Sequence, residues 1–174
     1  MLESGRLDNW GTIDSSNGNG VIINNSPLLL NHGSISGNRD GVRLFNDTAD
    51  TNFTFVNSLS GTIDGAIGVR ATNDGSNGTI SFTNRGDITG TFYGALLENR
   101  DTVGSGAISF TNRGTIQAIS NNGAGILIRA PLIYASNRTQ EPVVGTERKP
   151  AVISGDTAIE IYGSIADLTL QGGL

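Results

Sequence analysis

Asn112-Arg113-Gly114-Thr115-Ile116 is one of five copies of a short phrase in this chain of 174 residues. Each copy runs from an asparagine through a spacer, a glycine and a small polar residue to an isoleucine. The other copies occupy residues 9–13, 31–35, 57–63 and 84–88, and the one at 57–63 is longer by two residues. Successive isoleucines are 22, 28, 25 and 28 residues apart. A fixed phrase that returns about every 26 residues indicates an architecture of stacked repeats.

Residues 80–99 show how one repeat is built. Apolar and polar side chains alternate in residues 80–84 and again in 95–99, which is typical of strands with one buried face. Gly86, Gly90 and Gly94 separate these runs and mark three turns, and a further short strand begins two residues after Gly86. The sequence therefore predicts an all-β solenoid with three short strands per coil and about 26 residues per coil.

The predicted register aligns residues of the same kind from coil to coil. Buried apolar side chains should stack in three columns: Leu29, Phe55, Phe82 and Phe110; Ile13, Ile35, Ile63, Ile88 and Ile116; and Val21, Val42, Val69, Ala95 and Ile126. Asparagines should form two ladders of side-chain hydrogen bonds at the strand ends: Asn9, Asn31, Asn57, Asn84 and Asn112; and Asn25, Asn46, Asn73 and Asn99.

The pattern also predicts how the chain is divided. Residues 1–130 read as five coils, and residues 131–150, which contain three of the four prolines, read as a projecting loop. Alternation returns in residues 151–174, which read as a further partial coil. No apolar signal segment is visible, but the chain opens inside a repeat and ends inside a predicted strand, so we expect a piece of a longer protein. When isolated, its uncapped coils should self-associate end to end, or be stable only as part of that longer protein.

Composition excludes several classes of protein. The chain has no cysteine, which excludes a disulfide framework, a thiolate nucleophile and a cysteine zinc site. A net charge of −5 argues against nucleic acid and anionic membrane surfaces as partners. The apolar stretch at 124–135 contains Arg129 and Pro131 and is too short to cross a bilayer, so we expect no membrane insertion.

The phrase Asn-x-Gly-Thr-Ile-x-Gly, followed by Gly-Val and a short apolar run, resembles the passenger region of bacterial autotransporters and related β-helical surface adhesins. The resemblance covers residues 7–130 well and 151–170 partly. It implies a right-handed parallel β-helix that is secreted or displayed on the bacterial cell surface after export across the outer membrane. It also implies a non-catalytic role in adhesion, with a host-cell protein or glycan as the partner.

Arg85, Gly86 and Asp87 form the one candidate receptor-binding motif, because integrins read this tripeptide in matrix proteins. The sister copy has Arg113-Gly114-Thr115 at the same positions, which also explains the tripeptide as repeat drift. Integrin recognition further needs a protruding tip, whereas these residues are predicted to lie at a tight corner. Both readings stay open at the level of sequence.

Metal, cofactor and catalytic sites are not predicted. Residues 46–52 gather oxygen ligands in a loop, but without the spacing of a known calcium motif. His32 is the only histidine and has no predicted partner, so it is expected to point outward. The alternative function is a polysaccharide-binding or polysaccharide-degrading β-helix enzyme. Glycoside hydrolysis needs two facing carboxylates, whereas Asp14, Asp64 and Asp87 are expected singly in one column.

Overall fold

The computed structural model describes residues 5–25, 27–101, 106–138 and 151–170. Within these ranges every regular element is a β-strand, and all the strand pairs are parallel. The strands are β1 Gly5–Asn9, β2 Thr12–Ser15, β3 Val21–Asn24, β4 Pro27–Asn31, β5 Ser34–Gly37, β6 Asp40–Asn46, β7 Phe53–Asn57, β8 Thr62–Asn73, β9 Thr79–Asn84, β10 Asp87–Asn99, β11 Ala107–Asn112, β12 Thr115–Ala118, β13 Ala124–Asn137, β14 Val152–Ser154 and β15 Thr157–Leu170.

The strands belong to one sheet that bends at corners and gives a solenoid-like structure. The first face consists of β1, β4, β7, β9, β11 and the C-terminal parts of β13 and β15. The second face consists of β2, β5, β12, β14 and the N-terminal parts of β8 and β10. The third face consists of β3, β6 and the remaining parts of β8, β10, β13 and β15.

The three predicted apolar columns are confirmed by the register of these pairs. Leu29, Phe55, Phe82 and Phe110 are successive partners on the first face. The isoleucine column lies on the second face and continues one layer further, to Ile153. The column from Val21 to Ile126 lies on the third face. All members are buried except Ile13, which is partly buried, so the columns form one continuous core.

An asparagine ladder fixes the corner between the first and second faces. Each Nδ2 group donates to the Oδ1 atom of the next asparagine, with distances of 2.8, 2.9, 2.9, 2.9 and 2.8 Å along the series. The series is Asn9, Asn31, Asn57, Asn84, Asn112 and Asn137. Five of these six were predicted. Such ladders satisfy buried amide groups that would otherwise destabilise the corner.

The second ladder is shorter than predicted. Asn46 donates to Asn73 at 2.7 Å, and Asn73 donates to Asn99 at 3.3 Å. Asn25 does not join them, because its backbone is left-handed, with a φ of 54°, and its Oδ1 atom accepts a hydrogen bond from the amide of Asp47. The inclusion of Asn25 was therefore wrong.

The predicted loop at residues 131–150 was wrong for its first part. Residues 132–137 continue β13 and pair with β11 on one side and with β15 on the other. Pro131 is tolerated because it lies at the register shift between Ala130 and Leu132, where the strand turns from the third face to the first. The rest of the predicted loop, residues 139–150, lies outside the described residues, as do residues 171–174 of the predicted partial coil.

Candidate functional site

Arg85, Gly86 and Asp87 lie in a hydrogen-bonded corner of the solenoid. The amide of Arg85 donates to the carbonyl of Asn57 at 2.8 Å, and that of Asp87 donates to the carbonyl of Gly61 at 3.0 Å. Gly86 is buried, and a Cβ atom there would overlap the carbonyl oxygen of Gly61. Arg85 is exposed and Asp87 is half-buried. The backbone is therefore fixed between layers, and receptor binding by this tripeptide stays a prediction.

The exposed side chain of Arg85 belongs to a column that follows the asparagine ladder. We call this column the arginine edge; its members are Trp10, His32, Ser58, Arg85, Arg113 and Arg138. Each follows a ladder asparagine, and from His32 onward each amide donates to the carbonyl of the ladder asparagine one layer earlier, at 2.7 to 2.9 Å. Strand pairing spaces successive members by about 4.8 Å. The edge thus places one variable side chain per layer along a line.

Three arginines occupy consecutive layers of this edge. Arg85 and Arg138 are exposed, and Arg113 is half-buried. Within the part of the chain that the structure describes, no carboxylate oxygen lies within 4.0 Å of a nitrogen of any of the three. Like charges on neighbouring strands repel one another. The edge therefore presents three guanidinium groups whose hydrogen-bond donors are available to a ligand or to water.

The first face beside the arginines carries hydroxyl groups. Ser81 pairs with Ser109, and Thr111 pairs with Ser136, whose Oγ lies 3.3 Å from the Oγ1 of Thr111. An open depression of about 270 Å³ is lined by residues of both this face and the edge, and its charged lining residues are Arg113, Arg138 and Asp167. The carboxylate of Asp167 is beyond ion-pairing distance of both arginines. The surface combines cationic donors with hydroxyl groups that both donate and accept.

An aromatic pair forms the N-terminal part of the edge. The rings of Trp10 and His32 are stacked, with centroids 3.9 Å apart and planes 7° apart. Trp10 is 74% exposed, and the Nε2 atom of His32 lies 3.6 Å from a carboxylate oxygen of Asp8. His32 was predicted to be an outward side chain, and it lies half-buried between Trp10 and Asp8. The pair offers a flat apolar surface in line with the arginines.

The oxygen-rich segment at residues 46–52 is used for local hydrogen bonds. The side chain of Asn46 belongs to the second ladder and also donates to the carbonyl of Thr48 at 2.7 Å. A carboxylate oxygen of Asp50 accepts from Asn77 at 3.1 Å. Among the described residues no group of three or more histidine, cysteine or acidic side chains could hold a metal ion.

The predicted column of three aspartates was wrong in one member. Asp14 and Asp64 both pair with Ser36, one on each side, and the Ser36 hydroxyl donates to Asp14. Asp87 pairs with Thr62 and so belongs to the neighbouring column. The reason is that Asp87 precedes the isoleucine of its repeat, whereas Asp14 and Asp64 follow theirs. The two remaining aspartates lie on one sheet face with Ser36 between them.

The comparisons with known proteins give no relative. No protein-family model, no curated protein and no solved structure matches this chain. None of the described residues forms a helix long and apolar enough to cross a membrane. The site is therefore interpreted from its geometry. Sequence reasoning missed Arg113 and Arg138 as site residues. The signal that could have identified them is a hydroxyl residue followed by Asn-Arg, which recurs at 83–85, 111–113 and 136–138 but not at the other two Asn-Arg pairs, 38–39 and 99–100.

Proposed function

We propose that this chain is a non-catalytic segment of a secreted or surface-displayed protein of the autotransporter passenger type, and that it attaches to anionic glycans through the arginine edge. In this proposal the solenoid is a right-handed parallel β-helix with three strands and about 26 residues per coil. The observation that carries the proposal is the column formed by Arg85, Arg113 and Arg138, which has no carboxylate partners among the described residues.

The chemistry of the edge favours a linear glycan that bears carboxylate or sulfate groups. Guanidinium groups bind oxyanions through paired donors that can contact two oxygen atoms of one group. Trp10 and Arg138 lie five layers apart, about 24 Å at the usual strand spacing, so an extended ligand can contact several members at once. The neighbouring hydroxyl groups of Ser109, Thr111 and Ser136 can exchange hydrogen bonds with sugar hydroxyls, and the exposed ring of Trp10 can pack against a sugar ring.

Net charge favours a glycan over a nucleic acid. Binding to a nucleic acid depends on neutralising many phosphates with a broad basic surface. The whole chain carries a charge of −5, and the edge supplies three arginines in a single line. Such an edge can neutralise only a few anionic groups, so it suits a short stretch of an anionic glycan better than the many phosphates of a nucleic acid.

The test measures binding of size-defined heparin oligosaccharides and oligogalacturonates to the purified chain, with neutral dextran as a further ligand. The variant Arg113→Ala should weaken anionic binding roughly 1.4- to 5-fold, because an exposed charge pair contributes about 0.2–1 kcal/mol. Replacing all three arginines should weaken it roughly 3- to 150-fold if the contributions add. Affinity should fall as salt concentration rises.

Arg100→Ala is the matched control. It removes the same charge from a side chain that is 58% exposed, but one whose guanidinium already pairs with Glu98 at 2.8 Å. This variant should bind like the wild type. Equal losses for Arg100→Ala and Arg113→Ala, or equal binding of dextran, would contradict a specific role for the edge. Tighter binding of single-stranded DNA than of both glycans would instead identify a nucleic-acid surface.

Surface display is tested separately. Protease treatment of intact cells of the source organism should remove the chain, as detected with an antibody raised against it. Complete protection in intact cells, with digestion only after lysis, would contradict display.

A further inference from the structure

A second concavity lies on the third face, away from the arginine edge. Its volume is about 430 Å³. Its principal lining residues are Arg39, Asp40, Arg43, Ile67, Arg70 and Phe92, contributed by β6, β8, β10 and the turn before β6. We call it the arginine pocket. Its size falls within the range of about 300–1,000 Å³ that is usual for small-molecule sites.

Asp40 holds the guanidinium of Arg70 in place. The Nε atom of Arg70 donates to one carboxylate oxygen of Asp40 at 3.0 Å, and Nη2 donates to the other at 3.4 Å. The side chain of Asp40 is only 9% exposed, and its backbone amide donates to the side chain of Asn19. A guanidinium held at two of its donors loses little further freedom when a ligand binds to the others.

Two further arginines in the pocket have no carboxylate partner. Arg43 is the direct neighbour of Arg70 across β6 and β8, and Arg39 precedes Asp40. No described carboxylate lies within 4.0 Å of either. Three arginines and one aspartate give the lining a net charge of +2, in a chain whose net charge is −5. Like charges side by side on neighbouring strands destabilise a sheet, so this arrangement has a cost that an anionic ligand would remove.

A β-bulge supplies an aromatic wall. The register between β8 and β10 shifts between Gly90 and Tyr93, where one residue more is inserted than in the stretch from Gly65 to Ile67. Phe92 lies in this bulge, lines the pocket and is 54% exposed. Bulges commonly re-aim side chains beside binding sites. Ile67, which is 7% exposed, also lines the pocket. The pocket therefore has an apolar side next to its cationic side.

We propose that the arginine pocket binds a carboxylate attached to an aromatic body. The carboxylate accepts hydrogen bonds from Arg43 and Arg70, and the ring packs against Phe92 and Ile67. Two sources share this chemistry: a free aryl-alkanoic acid, and a peptide that ends in a C-terminal aromatic residue. The pocket is separate from the arginine edge, and this proposal does not rest on the proposed attachment to glycans.

The test uses 3-phenylpropionate as the probe, with binding followed by NMR shifts of the ¹⁵N-labelled chain. Amide shifts should saturate around Arg43, Ile67 and Phe92. The uncharged analogue 3-phenylpropionamide should bind at least about tenfold more weakly, because charge-assisted hydrogen bonds are the strong ones. Arg43→Ala should weaken binding of the acid by about the same factor. Phe92→Ala should reduce its affinity to that of acetate, since the aromatic contact is lost.

Arg6→Ala is the control for Arg43→Ala, since Arg6 is also an exposed arginine and its guanidinium pairs with Asp8 at 2.8 Å. It should leave binding unchanged, and the spectra of all variants should show an intact fold. Equal binding of acid and amide, an equal effect of Arg6→Ala, or shifts confined to the arginine edge would each overturn the proposal. So would failure of the wild type to saturate with the probe.

A second arm separates the two sources of the carboxylate. An N-acetylated tetrapeptide ending in phenylalanine is compared with its C-terminal amide and with 3-phenylpropionate. Tighter binding of the free-acid peptide than of phenylpropionate identifies a chain terminus as the occupant, and equal binding identifies a small acid. Equal binding of the free-acid and amidated peptides contradicts the proposal. Binding of heparin oligosaccharides to the arginine edge should be unaffected by Arg43→Ala, so this test and the glycan test can fail independently.

Discussion

Removing one asparagine from the middle of the first ladder should destabilise the fold by several kcal/mol. The side chain of Asn57 is fully buried; its Oδ1 accepts from Asn31 at 2.9 Å, and its Nδ2 donates to Asn84 at 2.9 Å and to the carbonyl of Gly61 at 3.0 Å. The variant Asn57→Ala leaves the Oδ1 of Asn84 as a buried acceptor without its donor, which costs about 1–3 kcal/mol. The loss of the two other bonds costs about 0.5–1.5 kcal/mol each, so the expected total is about 2–6 kcal/mol.

The assay is urea unfolding followed by far-UV circular dichroism, with the midpoint and slope fitted for each variant. Asn24→Ala is the matched control, because Asn24 is a half-buried strand residue whose side chain forms no hydrogen bond with the other described residues. The free energy of unfolding of Asn24→Ala should lie within about 0.5 kcal/mol of the wild-type value. Asn57→Asp should destabilise the fold more than Asn57→Ala, because it places a buried carboxylate against the Oδ1 atom of Asn84, which is also an acceptor. Equal stabilities of the Asn57→Ala and Asn24→Ala variants would refute the ladder as a source of stability.

Two further predictions concern the core and the chemistry. Ile63→Asp should lower the free energy of unfolding by more than about 4 kcal/mol, because it buries an unpaired charge at a side chain that is 2% exposed. The control Ile119→Asp, at a position that is 64% exposed, should be tolerated. Equal unfolding midpoints of the two variants would contradict this prediction. Incubation with pectins, glycosaminoglycans and other polyuronates should give no new reducing ends and no unsaturated products. Saturable turnover that is lost when one acidic residue is changed would overturn the non-catalytic proposal.

The sequence alone predicted the three apolar columns and most of the first asparagine ladder, because both depend on local rules. Alternation decides which side chains face inward, and a glycine at each corner resets the phase. The rule failed at Pro131, which was read as the start of a loop. Residues 133–137 read Ile-Tyr-Ala-Ser-Asn and repeat the pattern of residues 108–112, Ile-Ser-Phe-Thr-Asn, so the missing layer was present in the sequence. Proline at a corner does not interrupt the hydrogen bonds of the neighbouring strands.

The arginine pocket could be predicted only in part. Arg43 and Arg70 are separated by 26 residues in the chain, from position 44 to position 69, but the predicted alignment of Val42 with Val69 already places them side by side. The sequence therefore implied this pair of arginines, although it was not identified as a site. Phe92 reaches the pocket because a bulge inserts a residue before Tyr93, and alternation rules do not foresee a bulge. The position of Phe92 therefore depends on a local irregularity, which is a property of the folded chain.

In the arginine edge the backbone serves the fold and the side chains do not, so the identity of these side chains is informative about function. From His32 onward, the residue after each ladder asparagine donates its backbone amide to the layer before, and the side chains of the edge lie outside the buried core. The fold therefore places few demands on that side chain, which is tryptophan, histidine, serine and then arginine three times along the edge. Packing does not require arginine there, and repulsion between neighbouring layers opposes it. An interaction with an anionic partner gives a physical reason for three successive arginines at positions where the solenoid itself needs only a backbone.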